Sequence, residues 1–144
     1  MSKFLILKKR RDFLRAAGDV TVIYEHVIVQ AAQALPEEDH KQARIGFTAT
    51  KKVGHAYKRN RMKRRMRAVV REIYEKYAKD YLDYVIVARR DTDSCAFKEL
   101  RKDIKRAIRK VNKTFIIRNA ENDKNKKKRK KRRQSSQNID NITN

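Results

Sequence analysis

The chain has 144 residues, with 40 Lys and Arg against 17 Asp and Glu, for a formal charge of +23. That length is the size of one domain; 40% hydrophobic residues suffice for a core, while three glycines and one proline leave little room for a loop-rich sandwich or a Gly-rich phosphate loop. A single cysteine, Cys95, excludes an internal disulfide, and His26, His40 and His55 are too scattered for a zinc site.

An excess of cations on so small a chain points to a polyanionic partner, because each phosphate contact releases condensed counterions. Nucleic acid leads, with an anionic membrane surface behind it. No apolar stretch approaches the roughly 18–20 residues that span a bilayer. The opening MSKFLILKKRR places its apolar run before its charges, the reverse of a secretory signal. The expectation is an intracellular, metal-free protein that neither spans a membrane nor is exported.

In chain order, Lys9–Ala17 reads as a short helix with Phe13, Leu14 and Ala17 on one side and Gly18 ending it as a left-handed cap. Val20–Ile23 and His26–Ala34 are β-branched and alternating, two strands paired around Tyr24-Glu25. Pro36-Glu37-Glu38-Asp39 is a polar loop. Arg44–Thr50 sets Ile45, Phe47 and Ala49 against Gly46, Thr48 and Thr50, one face buried and the other polar. Lys58–Tyr77 has helical period, with Met62, Met66, Val69, Val70, Ile73, Tyr74 and Tyr77 on one face. Tyr84–Ala88 is wholly apolar, as a central strand is. Ala96–Phe115 is a last amphipathic helix with Phe97, Leu100, Ile104, Ala107, Ile108, Val111 and Phe115 inward, and Asp93 and Ser94 are its candidate caps. The order helix-strand-strand-strand-helix-strand-helix predicts a small α+β two-layer sandwich around a four-stranded sheet.

Composition changes after Arg118. Lys124–Arg133 holds nine basic residues in ten, and little beyond Ala120, Ile139 and Ile142 is apolar. Such a segment cannot offset its ordering entropy by burial. Residues 118–144 are therefore expected as a disordered basic tail, separate from a domain at 1–117. The tail has ten basic and three acidic residues, a net +7 that leaves +16 on the domain.

The most informative stretch is Lys51–Arg71, with ten basic residues and no acid. On the predicted helix Asn60, Arg64, Arg67 and Arg71 form an outward stripe, flanked by Arg61 and Arg65. A charge run is usually a solvated face, but here like charges meet at successive i,i+4 contacts, each weakening the helix by a few tenths of a kcal/mol. Cations also crowd the helix N-terminus, where the macrodipole favours anions. A bound polyanion resolves both conflicts.

Lys58-Arg59-Asn60-Arg61, then Lys63-Arg64 and Arg67, behind RIGFTATKKVG, resembles the signature of the bacterial ribonuclease P protein component; the likeness spans about residues 4–116, including LKKRRDF and DYVIVARR. The resemblance implies a small α+β protein that binds a catalytic RNA subunit and the 5′ leader of precursor tRNA. It assists endonucleolytic leader removal, with hydrolysis performed by the RNA and its Mg2+. It implies a left-handed crossover through the motif helix, against the usual preference, and a monomeric, cytoplasmic protein within a ribonucleoprotein. Carried over by position, the RNA-binding residues are Lys51, Lys52, Arg59, Asn60, Arg61, Lys63, Arg64 and Arg67, to which the helical stripe adds Arg71. The family's leader cleft, between the first helix and the sheet, corresponds to Phe13, with Val29 and Thr48 as neighbours. Ala17 stands where relatives often have an aromatic residue, and His55 and Tyr57 where they commonly have Asn and a small apolar residue.

Elsewhere the residues read as structural. Tyr74 and Tyr77 pack, His26 and His55 are surface residues, and Cys95 is inert. Asp12, Asp80, Asp83, Asp91 and Asp93 show no helical pairing, so no catalytic residue and no protein-held metal is expected. A DNA-binding regulator needs a second short helix before the basic one or a leucine seam after it, and neither pattern occurs. A ribosomal-type RNA-binding protein needs only a basic surface and tail, and stays open on physical grounds alone.

Overall fold

The elements follow one another as β1 (Leu5–Ile6), α1 (Arg10–Ala17), β2 (Val20–Ile23), β3 (Val27–Gln33), β4 (Arg44–Thr48), α2 (Ala56–Tyr77), β5 (Leu82–Ala88) and α3 (Phe97–Ile142), with a 3-10 turn at Lys51–Val53. The computed structural model describes residues 4–35 and 42–142, with side chains as far as Arg133, so the polar loop expected at Pro36–Asp39 lies outside the described residues. The chain divides into two compact units, Met1–Asn112 and Lys113–Asn144.

In the first unit the strands take the order β1-β4-β5-β3-β2. The apolar β5 is central, parallel to β4 and antiparallel to β3, where strands covered on both faces belong. The β2–β3 hairpin forms as expected, and α2 joins the parallel neighbours β4 and β5. The sheet has five strands where four were expected. Its extra member, β1, pairs Leu5 with Arg44 and Ile6 with Ile45, and two residues are too short to show a period of two.

Register sorts the side chains by face. Ile45, Tyr84 and Ala31 form one cross-strand row and Phe47, Ile86 and Val29 the next. These rows face the helices α2 and α3. Met62, Met66, Val69, Val70, Ile73 and Tyr74 of α2 are buried, as are Leu100, Ile104, Ala107, Ile108 and Val111 of α3. Each Val, Leu, Ile and Met among them contributes about 1.5–3 kcal/mol on full burial, which outweighs repulsion of a few tenths of a kcal/mol per like-charged pair on the outer face of α2. Buried polar tips find partners: Tyr74 donates to the Ala43 carbonyl at 2.8 Å, and Tyr84 donates to Asn112 while accepting the Lys79 N–H at 2.9 Å. Burial pushes the Tyr84 hydroxyl pKa far up, so it stays a proton donor.

The opposite face carries α1, which packs on β2, β3 and β5 and adds a partial third layer to the expected two. Its inward side departs from expectation. Asp12 and Ala16 are buried, Phe13 is half-buried, and Leu14 and Ala17 are exposed. The burial of a carboxylate is explained by its company. Arg15 bonds Asp12 at 3.1 Å and the buried Asp83 at 2.6 Å, while Arg44 reaches Asp83 through Nε at 2.9 Å and Nη2 at 2.7 Å. A buried charge survives only when paired in this way. Gly18 closes the helix in a right-handed conformation, φ −87° and ψ −2°, not as a left-handed cap.

In the second unit α3 continues as helix to Ile142, over the segment expected as a basic tail. No Gly or Pro follows Gly54, so no helix-breaking residue interrupts α3, although the like charges of Lys124–Arg133 oppose it at i,i+4.

Candidate nucleic-acid interface

Gly54, at φ +148°, turns the chain from the Lys51–Val53 turn into α2; a Cβ there would stand 3.0 Å from the Lys58 side chain. Lys51 and Lys52 lie exposed in that turn. The first turn of α2 contains no acid and no side-chain cap, so its unpaired N–H groups and dipole favour an anion. Along the helix Asn60, Arg61, Arg64 and Arg71 are exposed as the stripe predicted, with Arg59 and Lys63 half-buried beside them. Arg67 is half-buried too, its guanidinium 5.4 Å from the Phe47 ring centre. The Nε atoms of Arg59 and Arg67 are buried without a hydrogen-bond partner, which leaves polar capacity unspent within the basic surface.

Arg65, expected to flank the stripe, is turned to another task. It donates to the carbonyls of Thr92, at 2.6 Å, and Cys95, and lies over the Phe97 ring. It thereby fastens α2 to the β5–α3 connection. Nothing in its spacing separates it from its neighbours; only the loop it caps does.

On the α1 face the rows are Arg44–Asp83–Ala32, Gly46–Val85–Gln30 and Thr48–Val87–Ile28. Phe13 and Ala16 pack over Leu7 and Val85, and the Phe13 ring lies against Gly46, so close that a Cβ there would come within 2.5 Å of it. The last row, Thr48, Val87 and Ile28, stays half-buried. Ile28 and Val87 line a groove of about 450 Å³ whose charged lining is Lys52, Arg89 and Arg90 together with the carboxylates of Glu25 and Asp91. An apolar floor with cations in its walls can serve a single-stranded polyanion, whose bases need contact and whose phosphates need charge, at the end away from Glu25 and Asp91.

Phe13 and Thr48 therefore share a face as expected. Val29 does not: it is fully buried on the other side, in the row with Phe47 and Ile86, and Ile28 occupies the position assigned to it. A shift of one residue along a strand inverts the face.

Another cluster went unseen in the sequence. The His26 Nδ1 lies 2.7 Å from Asp91, its Nε2 3.8 Å from Glu25, and its backbone N–H donates to Asp103. Burial opposes protonation of His26, but the hydrogen bond and charge of Asp91, with Glu25 and Asp103, prevail and raise its pKa above the ordinary value. Glu25, His26 and Asp91 also bring three potential ligand atoms within 4.8 Å of one another. His26 is no plain surface residue, and the distance in sequence to Asp91 hid that. Among the described residues no helix is long and apolar enough to cross a membrane.

A parallel β4–α2–β5 unit with a cationic stripe on one side and a half-open groove on the other defines a small α+β RNA-binding protein. The sequence profile described as Ribonuclease P matches residues 1–112. The ribonuclease P protein component of Caulobacter vibrioides is 41% identical over 106 residues, 74% of this chain and 70% of the relative. That of Gluconacetobacter diazotrophicus is 39% identical over 115 residues, 80% of this chain and 94% of the relative. Among solved structures, the Staphylococcus aureus RNase P protein superimposes with a TM-score of 0.61 at 23% identity, covering 76% of this chain and 96% of the other. The Thermotoga maritima RNase P protein gives a TM-score of 0.61 at 22% identity, covering 72% and 94%. The chain belongs to the ribonuclease P protein family.

Proposed function

We propose that the chain is the protein subunit of a ribonuclease P ribonucleoprotein, in which it binds the catalytic RNA along α2 and the 5′ leader of precursor tRNA in the groove beside Phe13. Family membership supports the place in the particle. The observation that carries RNA binding along α2 is the exposed, acid-free stripe of Asn60, Arg61, Arg64 and Arg71 on a helix with an uncapped N-terminus. Lys51, Lys52, Arg59, Lys63 and Arg67 extend that surface. Ile28 and Val87 line the leader groove, with Thr48 in the same cross-strand row and Phe13 over the neighbouring row.

The enzyme is an endoribonuclease of tRNA 5′ maturation, and its hydrolysis belongs to the RNA subunit with Mg2+. The protein contributes binding and orientation, holding substrate near the catalytic RNA so that encounter entropy is settled before the chemical step. The only metal-capable group of three among the described residues, Glu25, His26 and Asp91, has its imidazole Nδ1 against Asp91 and lies beside Arg89 and Arg90. It is a poor fit for a catalytic Mg2+, which prefers an all-oxygen shell. The protein acts as a monomer within the particle, in the cytoplasm, with residues 1–117 as the specific domain and 118–144 as a basic arm of general RNA affinity.

Reconstitution with the ribonuclease P RNA tests this reading. Precursor-tRNA cleavage at low Mg2+ rises when the protein is added, and the protein alone cleaves nothing. Removal of residues 118–144 weakens general RNA binding and leaves most of the stimulation. A protein that does not stimulate the RNA, or that cleaves without it, overturns the proposal.

A further inference from the structure

Tyr57 is 69% exposed, more than any other large apolar side chain among the described residues. An aromatic ring left in water forgoes the stabilisation that burial gives, so its place is not explained by folding. It stands in the first turn of α2, and at 3.6 residues per turn Tyr57, Arg61, Arg64 and Arg71 fall within about a quarter of the helix circumference. The ring therefore heads the cationic stripe. It is paired with His55, the ring centroids 6.5 Å apart and the planes inclined by 13°. His55 occupies the N-cap position but makes no side-chain capping bond, so the helix does not use its imidazole either.

Neighbouring rings are differently employed. Phe47 lies under Arg67, Phe97 under Arg65 and Arg101, and Tyr77 under Lys76 and Lys105, at 5.1–6.0 Å from cation to ring centre. Among the described residues no cation is placed over Tyr57. An open aromatic face is thus set among the ten cations of Lys51–Arg71, with no acid in that stretch. Cations hold phosphates, and an aromatic face takes the π-face of a base, which only an unpaired nucleotide can present.

We propose that Tyr57, backed by His55, is a stacking platform for an unpaired nucleotide of the RNA bound along α2. The proposal rests on α2 being the RNA-binding surface. It adds a selection for unpaired nucleotides, which a stripe of arginines does not make by itself.

The test is equilibrium binding of the full chain to single-stranded oligoadenylate and to an RNA duplex of equal length, over a series of salt concentrations. Tyr57→Ala lowers affinity for oligoadenylate about fivefold or more and leaves the duplex affinity and the salt slope of both ligands as in wild type. Tyr57→Phe and Tyr57→Trp retain wild-type binding, and His55→Ala gives a smaller loss than Tyr57→Ala. Equal losses on both ligands, no loss on either, or a Phe variant as weak as the Ala variant overturns the platform. Arg61→Gln with Arg64→Gln separates the two levels. If that pair weakens binding and flattens the salt slope while Tyr57→Ala changes nothing, the platform alone fails. If that pair also changes nothing, α2 is not the RNA surface and both fail.

Discussion

The Phe13 ring rests on the Cα of Gly46 so closely that a Cβ at that glycine would stand 2.5 Å from Phe13 Cε1 and 3.2 Å from Leu7 Cβ. Gly46 has no unusual backbone angle; it is needed for approach. Gly46→Ala must push the ring away from the sheet, and overpacking of this kind costs about 1–3 kcal/mol. A lower midpoint in chemical denaturation measures it. With the leader bound beside Phe13, as proposed, the ratio of precursor to mature tRNA affinity falls in the same variant. Phe13→Ala lowers that ratio by about 1–3 kcal/mol in free energy where a leader base stacks on the ring, and an unchanged ratio removes Phe13 from the leader site.

Asp83 is fully buried and receives Arg15 and Arg44. Asp83→Asn leaves Arg15 and Arg44 with Asp12 as the anion they still share, and breaking a buried pair from one side costs up to about 3–5 kcal/mol. Denaturant titration reads the loss. A change below about 1 kcal/mol is what a solvent-screened pair gives, and would show that the network is open to water.

Charge removal and core damage on α2 are separable. Arg61→Gln with Arg64→Gln keeps helix propensity and disturbs no packing, so thermal stability is unchanged or slightly higher as repulsion falls. The slope of log affinity against log salt shrinks by roughly 0.7–0.9 for each phosphate that is no longer neutralised. Val70→Asp puts an unpaired carboxylate at a fully buried position and unfolds the domain, because the cost of several kcal/mol is comparable with a total stability of about 5–15. Circular dichroism distinguishes the two variants. Arg67 is a worse probe, since its substitution also takes the guanidinium off the Phe47 ring.

His26 makes stability depend on pH. Its pKa in the folded protein lies above the ordinary 6.5, because Asp91, Glu25 and Asp103 outweigh the effect of burial. A raised folded pKa means that protonation favours the folded state. The contribution is complete below the unfolded value of 6.5 and fades as pH rises through the folded pKa. Asp91→Asn removes most of it. Thermal melts of both proteins from about pH 5.5 to pH 8.5 show the wild-type advantage shrinking as pH rises; a constant or growing difference contradicts the assignment.

Periodicity alone determined a good deal of this protein. The buried faces of α2 and α3, the β2–β3 hairpin and the central place of β5 follow from the spacing of apolar side chains, because burial energy is proportional to area and area follows pattern. The acid-free run Lys51–Arg71 carried the family resemblance and the exposed stripe in the same way.

What the tertiary structure decided are matters of pairing at long range. Asp12 is buried and Leu14 exposed because Arg44 and Asp83, distant in sequence, come to meet α1. Arg65 is structural and Arg64 exposed because a loop near Thr92 lies on one side of the helix and solvent on the other. Val29 gives way to Ile28 in the groove because only cross-strand register says which parity faces α1. Two residues sufficed for β1 because β4 offered an unpaired edge. In each case the free energy depends on a partner whose position no local pattern encodes, and folding alone brings the two together.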